Sequence, residues 1–350
     1  MDPDQVVGDL LQSHGGPCAL DRLHLPYANP DSGPAAKFGL GCELFLPSID
    51  RGTLGERALQ FLLDYHQMFP EQVDKFLPRD ARRAVKFSND LKSRLDHDYH
   101  QGPPEHGYST ALFGAVDIGL PKDDVAPYQA HVLISRADEK DLSFVKAYLP
   151  VCWSDRPNYA LLTEAVLRWS ALCRPVHGTA GLTLIYASGM SQNTKYALPV
   201  MKRFPGFDYI YGVDFSMEAG AVHNRIKCVS WLTVLGDEIV TELGGTDRMR
   251  AALEPTCKIH EYPGGVVIQA GENPQLGDAT RGDIPEAYRM VARYTKPVRF
   301  EAYSSRLFRV PDNLDKKKRR CAGFGDLTRA TRVRSRDYAA AMSCRSSDLI

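Results

Sequence analysis

The sequence predicts an α+β fold in which helices flank a mixed or antiparallel sheet. Short apolar segments of strand length alternate along the chain with longer segments whose apolar residues recur at helical spacing. With 350 residues, 43% of them hydrophobic, the chain is long enough to bury a large core. No segment approaches the roughly 18 unbroken apolar residues of a membrane-spanning helix. We therefore expect a globular domain with a sheet at its centre.

Seven segments have the length and the flanking turn residues of β-strands. The first ends at Pro47, because proline has no N–H to donate to a neighbouring strand. Gly264 and Gly265 precede another strand, which has the apolar composition of a buried one. The predicted strands cover residues 38–46, 109–119, 128–136, 179–187, 226–235, 266–270 and 298–303.

Seven other segments are predicted to be helical. The clearest is 157–173, where Pro157 suits the first turn and the apolar residues share one face. Asp283 occupies an expected N-cap position, with Pro285 just inside the helix and Glu286 three residues on. Residues 28–36 and 96–107 are predicted to be irregular. The predicted helices cover residues 54–69, 79–95, 138–148, 157–173, 191–204 and 237–243, with a last one that begins at Asp283 and ends before Pro297.

The net charge is zero, but its uneven distribution indicates three regions. Residues 1–36 hold five acidic residues and one arginine, and are predicted to form an irregular acidic segment. Residues 311–350 hold ten lysines and arginines against five acids. Nucleic-acid binding is one interpretation of this basic tail, but no aromatic ladder accompanies it, and we favour a solvated, partly mobile tail. The core is then 37–310.

A short internal similarity leaves open whether the core consists of two related α/β sublobes, 37–150 and 151–310. Residues 42–47 resemble residues 116–121, which lie 74 positions later in the chain. The alternative is a chance match, because so few residues are involved. The sequence does not decide between these two interpretations.

Eight cysteines are spread along the chain without a Cys-x-x-Cys pair. Zinc sites and thiol redox motifs need that close spacing, so we expect reduced thiols, buried where they lie in apolar segments. The N-terminus begins with acidic residues and has only a short apolar run, unlike a secretory signal. These two features predict a cytoplasmic protein.

Only one short segment is rich in metal-ligating residues: Asp96 to His100, with Glu105 and His106 nearby. It lacks the His-Glu-x-x-His signature of a helical zinc site, and a loop of exposed histidines explains it as well. Ser188, Ser191 and Cys173 lack the context of a catalytic nucleophile, and no glycine-rich phosphate loop occurs. We predict no catalytic residue, metal or cofactor. An enzyme that uses a metal at His97 and His100 is the alternative hypothesis.

A series of motifs in the second half of the chain resembles the type VI secretion immunity family. The resemblance extends across about residues 37–303 and is closest in 226–301. Its motifs are His177-Gly178-Thr179-Ala180-Gly181-Leu182, Phe204-Pro205-Gly206-Phe207-Asp208, Val229-Ser230-Trp231-Leu232-Thr233, Leu235-Gly236-Asp237-Glu238, the strand that begins at Gly264-Gly265, Pro274-Gln275-Leu276-Gly277-Asp278, Arg281-Gly282-Asp283 and Pro297-Val298-Arg299-Phe300-Glu301.

This resemblance implies a bacterial cytoplasmic antitoxin rather than an enzyme. Its partner would be a cognate effector toxin, encoded beside it and of the restriction-endonuclease type. We expect no direct contact with nucleic acid or membrane, and the oligomeric state is left open.

The acidic segment 236–286 is the predicted partner-binding surface, because it holds ten acidic and four basic residues. A nuclease presents Lys and Arg to the nucleic-acid backbone, and an acidic surface can pair with that face and speed capture. Fold maintenance is the competing interpretation for each acid, and above all for the turn positions Asp278 and Asp283. The predicted contact residues are Asp237, Glu238, Glu272, Asp278, Asp283 and Glu286.

Overall fold

One large antiparallel sheet organises the chain. The computed structural model describes residues 16–26, 34–81, 83–103, 106–114, 125–136, 141–153, 156–186, 197–208, 210, 212–219 and 224–301. In these residues eleven strands form an open sheet, two more form a small ribbon, and eight α-helices surround them. The predicted α+β class, with an antiparallel sheet and flanking helices, is confirmed.

Ten of the strands follow one another across the sheet in the order β12–β13–β11–β10–β2–β7–β6–β5–β3–β4, and β1 pairs with β2 outside this order. The small ribbon consists of β8 and β9. The strands are β1 (His24–Pro26), β2 (Pro34–Leu46), β3 (Val73–Leu77), β4 (Val85–Lys86), β5 (Tyr108–Gly114), β6 (Gln129–Ile134), β7 (Ser143–Leu149), β8 (Cys152–Trp153), β9 (Arg156–Pro157), β10 (His177–Ile185), β11 (Leu232–Gly236), β12 (Cys257–Tyr262) and β13 (Gly265–Ala270).

Strands β2 and β10 lie side by side in the middle of the sheet. Their pairing runs without a shift from His177 opposite Phe45 to Ile185 opposite Lys37. Every residue of β10 is buried, so both faces of the sheet are covered here. The polar residues of β10, His177, Thr179 and Thr183, are therefore buried together with its apolar ones.

Helices pack on both faces of this centre. Phe45 of β2 contacts Phe215 of α5 on one face, whereas α3 packs on β2 from the other, where Cys42 approaches Cys173. Trp169 of α3 meets Phe61 of α1 edge to face, which joins the two longest helices. The helices are α1 (Arg51–Met68), α2 (Leu91–His100), α3 (Tyr159–Cys173), α4 (Ala197–Arg203), α5 (Gly212–Ala219), α6 (Asp237–Glu242), α7 (Thr246–Leu253) and α8 (Glu286–Tyr294).

Most of the strongly patterned segments form the predicted elements. The strands predicted at 38–46, 128–136, 179–187 and 266–270 correspond to β2, β6, β10 and β13. The helices predicted at 54–69, 157–173 and 237–243 correspond to α1, α3 and α6. Strand β5 and helix α4 fill the described parts of 109–119 and 191–204. Only the last part of 226–235 is a strand, β11.

The helix predicted at 79–95 is wrong. Residues 85 and 86 form β4 at the sheet edge, and the helix in this region, α2, begins only at Leu91. The backbone at Arg79 is fixed by a residue 19 positions away in the chain. Its N–H donates to both carboxylate oxygens of Asp98, at 3.0 Å each. Helix α2 in turn covers 91–100, so the segment predicted as a loop from Asp96 is partly helical.

The helix predicted at 138–148 is also wrong, because residues 143–149 form strand β7. Each of its ladders is antiparallel, with β2 on one side and β6 on the other. Most of the strand is buried on both faces, and an apolar segment of this length fits a short helix equally well. Pairing with β2 and β6 selects the strand over the helix.

The C-terminal part of the sheet region differs from prediction in two places. Residues 296–298 form a 3-10 turn rather than the start of a strand. Beyond the turn, Arg299 forms an isolated bridge with Ile226, and positions 302 and 303 of the predicted strand lie outside the described residues. Helix α8 begins at Glu286 and not at Asp283. At the other end of the chain, residues 34–36 belong to β2 and are not irregular.

The division of residues 37–310 into two sublobes stays a prediction. Strands from both halves belong to the one sheet, and β2 of the first half pairs directly with β10 of the second. Residues 116–121, which resemble 42–47, lie outside the described residues. Among the described helices, none has the length and apolar character needed to cross a membrane.

Candidate partner-binding surface

The six acidic residues predicted to bind a partner lie at opposite ends of strand β13. Gly265 at its start pairs with Gly236, which places Asp237 and Glu238 of α6 at that end. The segment that follows its last residue, Ala270, carries the other four acids. Six extended residues span roughly 20 Å. The structure therefore separates the predicted set into a pair, Asp237 and Glu238, and a group of four, Glu272, Asp278, Asp283 and Glu286.

Within the group of four, Asp278 and Asp283 close a short loop. Each backbone N–H donates to the carbonyl oxygen of the other residue, at 2.7 and 3.0 Å. The Asp278 carboxylate also accepts from the backbone N–H of Thr280 at 3.0 Å and so caps the 3-10 turn Ala279–Arg281. Asp283 is not the N-cap of α8, because these backbone bonds hold it in an extended bridge three residues before the helix. Pro285 occupies the cap position instead.

The acids differ in how far their charge is neutralised within the chain. Asp278 lies 3.5 Å from the guanidinium of Arg203 and 3.7 Å from that of Arg281. Burial alone would raise the pKa of Asp278, but the bonds from Thr280 and the charge of Arg203 outweigh it and lower the pKa. Glu286 forms ion pairs with Arg289 and Arg293 on its own helix.

The other four acids of the predicted set are exposed and form no ion pair with any described residue. Their carboxylates are therefore available to cations from outside the chain. They are Asp237, Glu238, Glu272 and Asp283.

A groove of about 340 Å³ lies beside the 278–283 loop. Its lining is mainly apolar and comes from five separate parts of the chain: Pro17, Leu20, Tyr159, Leu182, Phe204, Pro274 and Leu276. Gly277, Asp278, Arg281 and Asp283 complete the lining along one side. Leu182 and Phe204 are buried, whereas Pro17 and Asp283 are exposed. The groove thus has an apolar floor and a charged rim.

A disulfide fixes one wall of this groove. Pro17 and Leu20 belong to a 3-10 turn, Pro17–Arg22, and Cys18 of that turn is bonded to Cys152. The Asp21 carboxylate strengthens the attachment by accepting from the backbone N–H groups of Val151 and Cys152, at 2.6 and 2.8 Å. The prediction that all the thiols are reduced is therefore wrong for this pair. Four others are free and buried, as predicted: Cys42, Cys173, Cys228 and Cys257.

A second polar cluster lies beneath the sheet centre and is fully buried. The Lys227 ammonium is 2.7 Å from Glu43 Oε2 and 3.7 Å from Asp208 Oδ1, and the side chains of the lysine and the two acids are at most 2% exposed. The Thr179 hydroxyl donates to the other Asp208 oxygen, and the Cys228 thiol approaches Oδ1 at 3.1 Å. Burial alone would lower the pKa of Lys227, but Asp208 and Glu43 raise it above its ordinary value. Lys227 is therefore charged.

His177 lies next to this cluster, stacked on Phe45 with ring centroids 4.6 Å apart. Burial, together with the charge of Lys227, lowers the pKa of His177 to about 3, so the ring is neutral at physiological pH. Its Nε2 atom has no hydrogen-bond partner among the described residues. On the neighbouring strand β7, burial lowers the pKa of Lys146 to about 8.

Sequence reasoning missed both the groove and the buried cluster. The residues that line the groove are far apart in the chain, and no local sequence pattern indicates that Pro17 lies near Leu276. The buried cluster did leave a signal, because Glu43 and Lys227 each stand inside an apolar run, where a charge requires a partner. Their pairing across 184 positions could not be deduced from either run alone.

The histidine segment gives no support to a metal site. His97 and His100 lie on the last turn of α2, exposed, and the His100 ring nitrogen Nδ1 bonds to the Asp96 carbonyl at 2.7 Å. His97 Nε2 contacts the side chain of Gln101, the residue that follows the helix. Across the described part of the chain, no three His, Cys, Asp or Glu side chains are grouped so that they could hold a metal.

Comparison with known proteins supplies the context for this surface. Residues 64–318 match the model of the TsiV family, described as type VI immunity for VRR-NUC. The fold is similar to that of a Pseudomonas aeruginosa T6SS protein, PA0821, with a TM-score of 0.73 and 16% sequence identity. That likeness covers 99% of this chain and 92% of the other. None of the curated proteins matches the sequence.

Proposed function

The chain belongs to the TsiV family of type VI immunity proteins for VRR-NUC, and on that basis we propose that it binds one cognate VRR-NUC effector and covers the face with which the effector grips nucleic acid. The observation that carries this proposal is the family match over residues 64–318, well over half of the chain. The surface chemistry described above supports the choice of face.

Electrostatics favour an acidic surface as the contact. A nuclease must present Lys and Arg to a polyanionic backbone, and a surface of opposite sign both attracts that face and competes for it. Rim charges speed association more than they hold a complex together, so tight binding also needs a desolvated apolar centre. The group of four acids adjoins such a centre in the groove. We therefore place the contact at the end of β13 that carries Glu272, Asp278, Asp283 and Glu286.

Binding without catalysis is the second part of the proposal. The charged groups of the Lys227 cluster pair with one another inside the fold, and His97 and His100 lie on the surface. Inhibition by occupying a surface requires no reacting group. The alternative, a metal-assisted enzyme at His97 and His100, would lose its metal or its activity when both are replaced by alanine.

We also propose that the protein acts in the cytoplasm, where a nuclease effector meets its substrate. The Cys18–Cys152 disulfide is unusual for that compartment, which keeps most thiols reduced. Alkylation of whole cells followed by mass spectrometry of the Cys18 and Cys152 peptides measures the fraction oxidised in place. Fractionation of the same cells should recover the chain with cytoplasmic markers, and recovery with periplasmic ones would refute this location.

Co-expression tests the function directly. A host that produces the effector encoded beside this gene should lose viability, and the full chain should restore growth and co-purify with that effector. An effector from an unrelated family serves as the control, because a protein that merely lowered expression would rescue both hosts. Failure of both rescue and co-purification would refute the proposed function.

A further inference from the structure

We propose that the groove beside the 278–283 loop is the anchor site for the effector, and that it receives an apolar side chain next to a lysine or arginine. This inference rests on the proposed function and specifies which part of the surface supplies the affinity. It predicts that a small number of groove residues matter more than the total acidic charge of segment 236–286.

The floor of the groove provides the apolar part of the site. Leu182 and Phe204 form its buried base, and Leu276 and Tyr159 are half-buried beside them. A volume of about 340 Å³ suits one or two inserted side chains and is too small for a packed helix. Side chains that fill desolvated pockets at the centre of an interface dominate its binding free energy.

The rim determines the charge of the occupant. The exposed Asp283 carboxylate forms no ion pair with any described residue, so it can accept a cation from outside the chain. Asp278 is half-buried and its pKa is lowered; its Oδ1 accepts from Thr280, and its Oδ2 lies 3.5 Å from Arg203 and 3.7 Å from Arg281. An incoming cation therefore finds the Asp283 carboxylate at the edge of a groove whose loop is already held in position. An anion placed at Asp283 would be repelled.

The groove is preformed, which reduces the entropy lost on binding. The Cys18–Cys152 bond and the Asp21 carboxylate hold the wall with Pro17 and Leu20 against the body of the protein. The opposite wall is held by the paired backbone bonds between Asp278 and Asp283. A site whose walls are fixed before binding converts more of its contacts into affinity.

Charge also argues for the effector rather than a second copy of this chain. In a two-fold symmetric dimer each surface meets itself, so a groove at the axis would place Asp283 of one copy near Asp283 of the other. Like charges facing each other across an interface are unfavourable. The DNA-binding face of a nuclease has the opposite charge and meets no such repulsion.

Calorimetric titration of the full chain with the effector encoded beside its gene tests the rim. Asp283→Lys should weaken binding at least about tenfold and reduce its salt dependence, because a favourable pair becomes a repulsive one. Arg281→Ala should tighten binding several-fold, because it removes the competing cation from Asp278. Glu238→Lys is the matched control: it makes the same charge change at an exposed acid at the opposite end of β13, and should alter affinity less than about twofold.

The floor is tested with Leu276→Ala. We expect about a tenfold loss of affinity with an unchanged salt slope, since the lost contact is apolar. Asp283→Asn should fall between wild type and Asp283→Lys. Equal thermal midpoints for each variant would show that the surface, and not the folding, has changed.

The outcomes separate this inference from the proposed function. If the wild type binds and rescues while Asp283→Lys and Leu276→Ala behave like it, the groove is not the anchor, although the function stands. A larger effect of Glu238→Lys than of Asp283→Lys also overturns the inference. So does self-association that these variants abolish, or tighter effector binding when Lys316, Lys317 and Lys318 are replaced by glutamine, because either would show that another part of this protein occupies the groove.

Discussion

The buried cluster around Lys227 and the rim of the groove are both built from carboxylates and cations, yet their surroundings give them different roles. Beneath the sheet centre, the ammonium of Lys227 lies against two carboxylates and all three side chains are shielded from water. At the groove, Asp283 is exposed and has no cationic partner among the described residues. The charges of the first group are paired inside the chain, whereas Asp283 has no such partner there.

The difference follows from the cost of removing charges from water. A buried ion loses its hydration whether or not it has a partner, so removing one member of a buried cluster leaves an uncompensated charge. Such a cluster is also closed to a ligand from outside. An exposed carboxylate retains its hydration and contributes little to folding, but can pair with a cation that a partner brings. We therefore expect the buried cluster to control stability and the rim to control binding. The following predictions test that division.

The largest effect on stability is expected from Lys227→Met. The substitution leaves the Glu43 and Asp208 carboxylates buried without the ammonium, which should lower the free energy of unfolding by about 3–5 kcal/mol. Urea denaturation measures it, and Lys258→Met, at an exposed position of β12, is the matched control with an expected change near zero. A loss below about 1 kcal/mol would mean that the cluster is not the stabilising element described here.

The disulfide is expected to have the next largest effect. The double substitution Cys18→Ser and Cys152→Ser removes the bond between two residues 134 positions apart. It should lower the free energy of unfolding by about 2–4 kcal/mol. Because the bond also holds the groove wall, effector affinity should fall in the same variant. The double substitution Cys42→Ala and Cys257→Ala, at buried free thiols, is the control and should leave affinity unchanged. A loss of stability with unchanged affinity would show that the groove wall held by this disulfide does not contribute to effector binding.

The smallest effect is a pH dependence that originates at His177. Its folded pKa of about 3 lies below that of an exposed histidine, so between these values the unfolded chain binds a proton that the folded chain does not. Stability from this group is complete above the unfolded pKa and is lost as the pH falls toward 3, by at most about 1.4 kcal/mol per pH unit.

His177→Phe keeps the ring stack on Phe45 and removes the titrating group, so it should flatten the decline measured by urea denaturation between pH 7 and pH 4. His131, whose pKa burial also lowers, will preserve part of the slope. A slope identical to that of the wild type would show that His177 does not carry the effect. Effector affinity at pH 7 should be unaffected by this change, since His177 does not line the groove.

Local patterns predicted the elements that depend on local chemistry. The apolar stripe of helix α1 predicted it from residue 54, and the helix begins three residues earlier, where the Asp50 side chain accepts from the Thr53 N–H at 2.9 Å. Helix α6 ends at Gly244 and Gly245, whose φ angles of 97° and 86° need glycine. The acidic surface was predicted at the level of composition, and the structure separated it into two ends of one strand.

The elements predicted wrongly are those that distant contacts decide. Strand β7 lies between β2 and β6, so its conformation depends on residues far away in the chain. The described residues of 79–90 are not helical, and the Asp98 carboxylate instead accepts from the backbone N–H of Arg79. In each case an apolar or amphipathic segment fits two conformations, and only its neighbours select one.

By itself, the sequence determined the α+β class, the helices with clear apolar stripes, the family resemblance and the acidic character of segment 236–286. The tertiary structure decided that Cys18 bonds to Cys152, that Lys227 neutralises Glu43, and that Asp278 and Asp283 border a groove walled by Pro17 and Leu276. The physical reason is the range of the forces involved. Capping and periodicity act within a few residues, whereas burial and ion pairing join groups that the chain brings together only when it folds.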